Sequence, residues 1–213
     1  MLGMSVSTIL SRIITLLIAF TIHEFAHAWT ANQFGDDTPR LNGRLTLNPA
    51  AHLDLMGTLM LLFAGFGWAR PVPINPYALR RNSPSAVMWV SLAGPLSNLL
   101  LAIIAAVPLR LGLVSISYPT GMFPTPFSFL IDFISINLLL MLFNLIPLAP
   151  LDGDKIAEYL FPPRWARALE TIRPYGPLIL LAIVFVLPMI GIDLFGMILR
   201  PALFTLRGLL IGI

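Results

Sequence analysis

Five consecutive residues, His23-Glu24-Phe25-Ala26-His27, carry the clearest chemistry in this 213-residue chain. On a helix, positions i and i+4 share a face, so His23 and His27 can offer two imidazole nitrogens to one metal ion. Glu24 sits beside them and can reach a water at that metal without ligating it. In the H-E-x-x-H arrangement zinc lowers the pKa of its bound water toward 7, and the glutamate acts as general base. There is no cysteine, which excludes thiolate ligands and disulfides and leaves imidazole and carboxylate to hold a metal. Chance alone gives such a pattern in well under about 1 of a hundred chains of this length, although motif matches carry false positives. A lone histidine is usually a hydrogen-bonded structural group. Two of the three histidines and a glutamate on one helical turn fit that description poorly, above all inside an apolar segment, where ionisable groups are costly.

The elements that must position these residues are membrane-like. The chain is 57% hydrophobic and 11% charged, against about a quarter charged in soluble domains. Residues 86–107 carry no charge, 127–151 carry only Asp132, and 174–192 carry none. Blocks of this kind approach or exceed the roughly 20 residues that span a bilayer core. Helices are expected near 7–33, 84–110, 127–146 and 175–190, with a further apolar stretch at 194–212. The fold class is therefore an all-α polytopic membrane protein, a bundle of about four to six transmembrane helices. Residues 53–66 are short for a span and suit a re-entrant or short segment. The first block lacks a basic leader and a small-residue cleavage pattern, so it is expected to stay in place with its motif. Residues 1–213 read as one transmembrane unit with no separate soluble domain. The net charge of +3 is scattered, so no nucleic-acid partner is expected, and the lipid bilayer is the expected environment.

Arginine and lysine concentrate in 34–52, 67–83 and 152–173 and are missing from 111–126. By the positive-inside rule the first three segments face the cytoplasm and the N-terminus lies outside. Residues 23–27 and 144–154 then reach the same, cytoplasmic, depth. Asn42-Gly43 is a type I′ turn dipeptide, so a short membrane-embedded β-hairpin near 39–49 competes evenly with an ordinary loop turn. Such a hairpin would offer an edge to an extended peptide.

A catalytic zinc site generally needs a third protein ligand. The candidates are Asp36, Asp37, His52, Asp54, Asp132, Asp152, Asp154, Glu158, Glu170 and Asp193. Depth removes Asp132 and disfavours Asp193, and Asp36 and Asp37 would need a sharp reversal of the chain. Asp152 stands out. It follows Asn144-Leu-Ile-Pro-Leu-Ala-Pro-Leu, where two prolines break a helix at membrane depth, which is tolerated only against protein or a wet cavity.

Together these motifs resemble the site-2 protease family of intramembrane zinc metalloproteases. That family pairs H-E-x-x-H with a later Asn…Asp-Gly motif, here Asn144 and Asp152-Gly153. Further matching stretches are 35–39, 43–49 with His52 and Asp54, Gly57-Thr58, 71–74 and Gly94-Pro95-Leu96-Ser97-Asn98. The resemblance covers about residues 20 to 155, and points to the minimal subgroup without PDZ or CBS domains. It implies one zinc per chain held by His23, His27 and Asp152, with Glu24 as catalytic base. It implies a β-hairpin that helps hold the substrate. It also implies cleavage of a peptide bond in or near the transmembrane segment of a membrane-protein substrate. Asn144 and Asn98 are candidates for contacting the substrate backbone or the developing oxyanion, at even odds with helix-breaking structural roles. His52 is an accessory candidate, better read as a structural histidine than as a ligand. Arg44 and Asp54 read as loop charges. The best location is a prokaryotic cytoplasmic membrane, with the site toward the cytoplasm. Rival functions are a membrane metal transporter and a catalytically inactive metal-binding protein. Glu24 argues against the transporter, which has no need of a general base beside two ligands.

Overall fold

The computed structural model describes residues 5–57, 60 and 67–212. Among the described residues, five helices are long and apolar enough to cross a membrane: α1 (Val6–Gln33), α4 (Ala86–Arg110), α5 (Pro126–Asn144), α7 (Pro163–Met189) and α8 (Leu194–Ile211). Between them lie the short helices α2 (Thr38–Leu41), α3 (Pro76–Asn82) and α6 (Asp152–Leu160). Local signals start most of these elements. Ser5 Oγ accepts the Thr8 N–H ahead of α1, Thr125 Oγ1 accepts the Ser128 N–H ahead of α5, and Asp193 Oδ1 accepts the Gly196 N–H ahead of α8. Helix α7 is continuous but carries a 3-10 turn at Arg173–Tyr175 and a π turn at Ala182–Val186.

Helix α4 is the centre of the bundle and packs on α1, α5 and α6, while α5 also meets α1 and α8. The outer surface is apolar, with Ile14, Ile18, Leu100, Ile104, Val107 and Leu178 exposed. The interior of α1 is polar, with Ser7, Ser11, Thr15, His23, Glu24 and His27 all buried. A soluble globule would carry the opposite arrangement; an apolar exterior suits hydrocarbon. At one end of the bundle, Arg110 Nη1 donates to the Leu209 carbonyl near the last turn of α8. At the other end the three basic segments meet. Asp36 accepts the Asn75 N–H at 2.6 Å, and Arg80 reaches Glu158 at 3.0 Å.

The expected β-hairpin at 39–49 is not formed, and no strand occurs among the described residues. Pro39 presets the first turn of α2, and Asp36 Oδ1 takes the Thr38 N–H at 3.0 Å. Asn42-Gly43 then ends a helix. Gly43, at φ +67°, donates to the Arg40 carbonyl, and Arg44 donates to the Pro39 carbonyl at 2.8 Å. That is the Schellman stop, which uses the same left-handed glycine a type I′ turn would need. Pairing occurs further on, as one antiparallel bridge between Leu53 and Ala69 supported by the Arg70 N–H on the His52 carbonyl. This joins Leu53 to Ala69 across the intervening segment. Most of that segment, 58–59 and 61–66, lies outside the described residues.

Candidate metal centre

His23 and His27 lie one turn apart on the buried face of α1, with 5% and 8% of their surface exposed. Their Nε2 atoms stand 3.0 Å apart. Asp152, the first residue of α6, places Oδ2 3.2 Å from His23 Nε2 and Oδ1 3.4 Å from His27 Nε2. These three side chains form the one group of metal-ligand type found among the described residues.

The protons on these rings follow from their other contacts. His27 Nδ1 is 2.6 Å from the Val90 carbonyl, which can only accept, so Nδ1 carries the hydrogen. His23 is governed by a longer chain of the same logic. The Phe133 carbonyl takes the amide of Asn137 at 2.9 Å, which turns Asn137 Oδ1 toward Asn98. Asn98 Nδ2 donates to that oxygen at 2.9 Å, which turns Asn98 Oδ1 toward His23 Nδ1 at 2.6 Å. In the neutral rings both Nε2 atoms are therefore bare lone pairs facing one another and a carboxylate. Three donors at 3.0–3.4 Å repel unless a cation sits among them, and such spacings match neighbouring ligands about 2.0–2.1 Å from a zinc ion. Asp152 Oδ2 is buried without a hydrogen-bond donor, as a ligand atom would be.

Backbone approach makes the site possible. A Cβ on Gly94 would overlap His27 Nε2 and His23 Nε2, so α4 passes this close to the ligand atoms as glycine. A Cβ on Gly153 would overlap the Ile146 carbonyl, so the turn after α5 can lie against the start of α6 only there. Asp154, 3% exposed, receives two bonds from Arg173, at 2.8 and 3.2 Å. Arg173 also donates to Glu158 at 2.6 Å, which ties α6 to α7. Burial would push the Glu158 carboxyl up, but Arg173 and Lys155 hold it below its ordinary value.

Glu24 is buried beside the trio, and its side chain makes no hydrogen bond among the described residues. Its carboxylate remains available to a water. Arg44, read as a loop or interface charge, is buried in the loop after α2, and its Nη1 donates to the Ala51 and Arg70 carbonyls. Burial and Arg70 push its guanidinium below the ordinary value, and the charge of Glu24 opposes them.

The other expected site residues are placed elsewhere. Asn98 is fully buried behind His23 with both amide atoms engaged, so it orients the imidazole and is not free for a substrate or oxyanion. Asn144 closes α5 and its Nδ2 donates to the Leu140 carbonyl at 3.0 Å. His52 is fully buried with Nε2 2.7 Å from the Thr46 carbonyl, away from the trio. Among the alternative ligands, Asp36 accepts the Thr38 and Asn75 N–H groups, Asp37 pairs with Arg40, Asp193 caps α8, and Asp54 accepts the Gly57 N–H. Sequence reasoning missed Gly94 as a packing requirement, Val90 as a backbone partner, and Asn137. Asn137 carried a signal, being a lone amide deep in an apolar helix.

A helical membrane bundle with two histidines and an aspartate gathered beside a free glutamate defines a metallohydrolase-type centre, and the relatives agree. Those found are described as "Putative zinc metalloprotease". YwhC of Bacillus subtilis is 45% identical over 182 residues, 83% of this chain and 80% of that protein. Rip2 of Mycolicibacterium smegmatis is 32% identical over 175 residues, 78% of this chain and 63% of that protein. Rip2 of Mycobacterium tuberculosis H37Rv is 31% identical over 188 residues, 85% of this chain and 69% of that protein. No family model and no solved structure matches. The chain belongs to the zinc metalloprotease family of YwhC and Rip2.

Proposed function

We propose that this protein is an intramembrane zinc protease of the site-2 type. The observation that carries this reading is the convergence of His23 Nε2, His27 Nε2 and the Asp152 carboxylate within a transmembrane bundle. One zinc per chain would be held by those three residues, leaving an open position as catalytic sites do. Bound there, it would polarise the scissile carbonyl and acidify a water.

The chain's own groups do the rest. Val90 and the Asn137–Asn98 relay hold the imidazoles in the ligating tautomer. Glu24 takes the proton of the attacking water and passes it to the leaving amine. The Asp154–Arg173–Glu158 cluster keeps the start of α6, and so Asp152, against α1. The substrate is the transmembrane segment of another membrane protein, locally unwound because a helical peptide bond shields its own carbonyl and amide. The site faces the cytoplasmic side of a prokaryotic inner membrane; the meeting of the three basic segments at the end that carries the trio supports this orientation.

The test compares the purified protein with Glu24→Gln for zinc content and cleavage of a transmembrane substrate. Equal zinc with cleavage by the parent alone is expected. Equal cleavage by both would remove Glu24 as base, and zinc flux in liposomes without cleavage would turn the assignment to transport.

A further inference from the structure

Asp132 is an ionisable residue that the metal centre does not use. It carries the single charge of the apolar stretch 127–151 and stands outside the His23, His27 and Asp152 group. It is half-buried, and its side chain makes no hydrogen bond or ion pair among the described residues. Neighbouring helices carry two cations, and neither pairs with it. Arg12 of α1 has a buried Nε without a partner, and Arg207 of α8 turns to Ser135 Oγ at 3.5 Å. A carboxyl group in a membrane helix is costly, which makes it a candidate for binding a ligand or a partner.

A cavity of about 170 Å³ adjoins it. Ser7 and Thr8 of α1, Ser128, Ile131 and Asp132 of α5, and Tyr118 of the connecting segment line this space. Most of the wall is apolar, and no described Lys, Arg or His is part of it. Ser7, Thr8 and Ser128 lie where α1 and α5 begin, so the cavity sits at the end of the bundle away from the trio. From Ser7 to His23 is roughly 24 Å along α1 at the helical rise. Residues 111–125 beside the cavity carry no charge, and Ile116, Tyr118, Met122 and Phe123 are exposed. Apolar and aromatic side chains gathered in this way suit the lipid interface better than water.

The wall selects its occupant. An anion would meet a carboxylate and no cation. A divalent metal would find one carboxylate where it needs six or so oxygen ligands. A hydrocarbon chain alone would leave the carboxyl group unpaired. A short alkylammonium satisfies the wall: its N–H groups donate to Asp132 and to hydroxyl oxygens, and its methylenes meet the apolar side. The position, at two helix starts beside exposed interfacial side chains, is the level of lipid headgroups.

We propose that this cavity is a headgroup site for an aminophospholipid of the leaflet opposite the metal centre. Its primary ammonium lies on Asp132 and its acyl chains run along the apolar surface that 111–125 exposes. The site is independent of the chemistry at the trio. Its walls come from α1, α5 and the segment between α4 and α5, so a bound lipid braces the far end of the helix that carries His23 and His27.

Native mass spectrometry of the full chain in detergent tests this. The probes are phosphatidylethanolamine and phosphatidylglycerol with identical acyl chains, in equal amounts. The net charge of +3 would favour the anionic glycerol lipid. The ethanolamine lipid should nonetheless be retained at least about fivefold more. Asp132→Asn should bring the two lipids within about twofold of one another, with zinc content unchanged, and Asp132→Glu should keep the preference. No preference in the parent protein, or an undiminished one in Asp132→Asn, would overturn the site. A last arm compares transmembrane substrates with lysine or leucine at this depth. If Asp132→Asn slows only the lysine substrate and leaves lipid retention as in the parent, the ammonium comes from a substrate and the lipid assignment fails.

Discussion

The two halves of α1 share one row of buried positions and treat polar groups in opposite ways. In the half that ends at Ala31, His23 and His27 each have Nδ1 tied to an acceptor 63 or more residues away in sequence. Their Nε2 atoms are left aimed at Asp152. In the half that begins at Ser7, the hydroxyls of Ser11 and Thr15 have no partner. The first half spends long-range contacts on fixing direction, as a ligand set requires. In the second, the Ser11 and Thr15 hydroxyls are packed away from water and no protein atom orients them. Burial in a membrane bundle therefore does not identify a site; the pattern of satisfied and unsatisfied partners does.

The largest break in this contrast comes from the ligands. Asp152→Ala should reduce zinc content by mass spectrometry to background and abolish cleavage, since a three-ligand site becomes a two-ligand one. Gly94→Ala should act nearly as strongly through one methyl group pushed into both imidazoles. Zinc retained by Gly94→Ala would show that α4 can retreat from α1. Asn137→Leu removes the remote end of the relay that sets the His23 tautomer, and should weaken zinc binding about 10- to 100-fold in a chelator competition. Affinity within twofold of the parent would show that Asn98 holds His23 unaided. In the other half, the paired change Ser11→Ala with Thr15→Val should leave zinc affinity unchanged. A tenfold loss there would merge the two halves into one network.

The smallest effect is on pH. The folded-state pKa of Glu158 is depressed by Arg173 and Lys155, so its stabilising contribution is present above the ordinary carboxylate range and is lost as pH falls through that lowered value. Glu158→Gln should therefore lower thermal stability at neutral pH by about 1 kcal/mol or less, with the difference vanishing in acid. A difference that grows on acidification would reverse the sign and reject this pairing.

Local pattern was legible wherever one helical period or one span length decides. The spacing of His23 and His27 places both on one face in any helix, and the apolar blocks located the five long helices to within a few residues at most ends. The start of α7 is the exception. It begins at Pro163 rather than near 175, because the charged stretch 163–172 is helical without being apolar. Asn42-Gly43 shows the limit of such reading. Its left-handed glycine serves a hairpin or a helix stop equally, and in the fold it closes α2. Chemistry alone could not choose among ten carboxylate and imidazole candidates for the third ligand, because that choice needs two distant helix ends to meet.

By itself, then, the sequence determined an all-helical membrane protein with a two-histidine, one-glutamate turn, since periodicity and length are properties of short segments. Only the tertiary structure decided which way the imidazoles point, that Asp152 faces them, that Asn98 serves His23, and that Ser11 and Thr15 are buried without partners. Each of these depends on where another helix passes, and no local spacing encodes that.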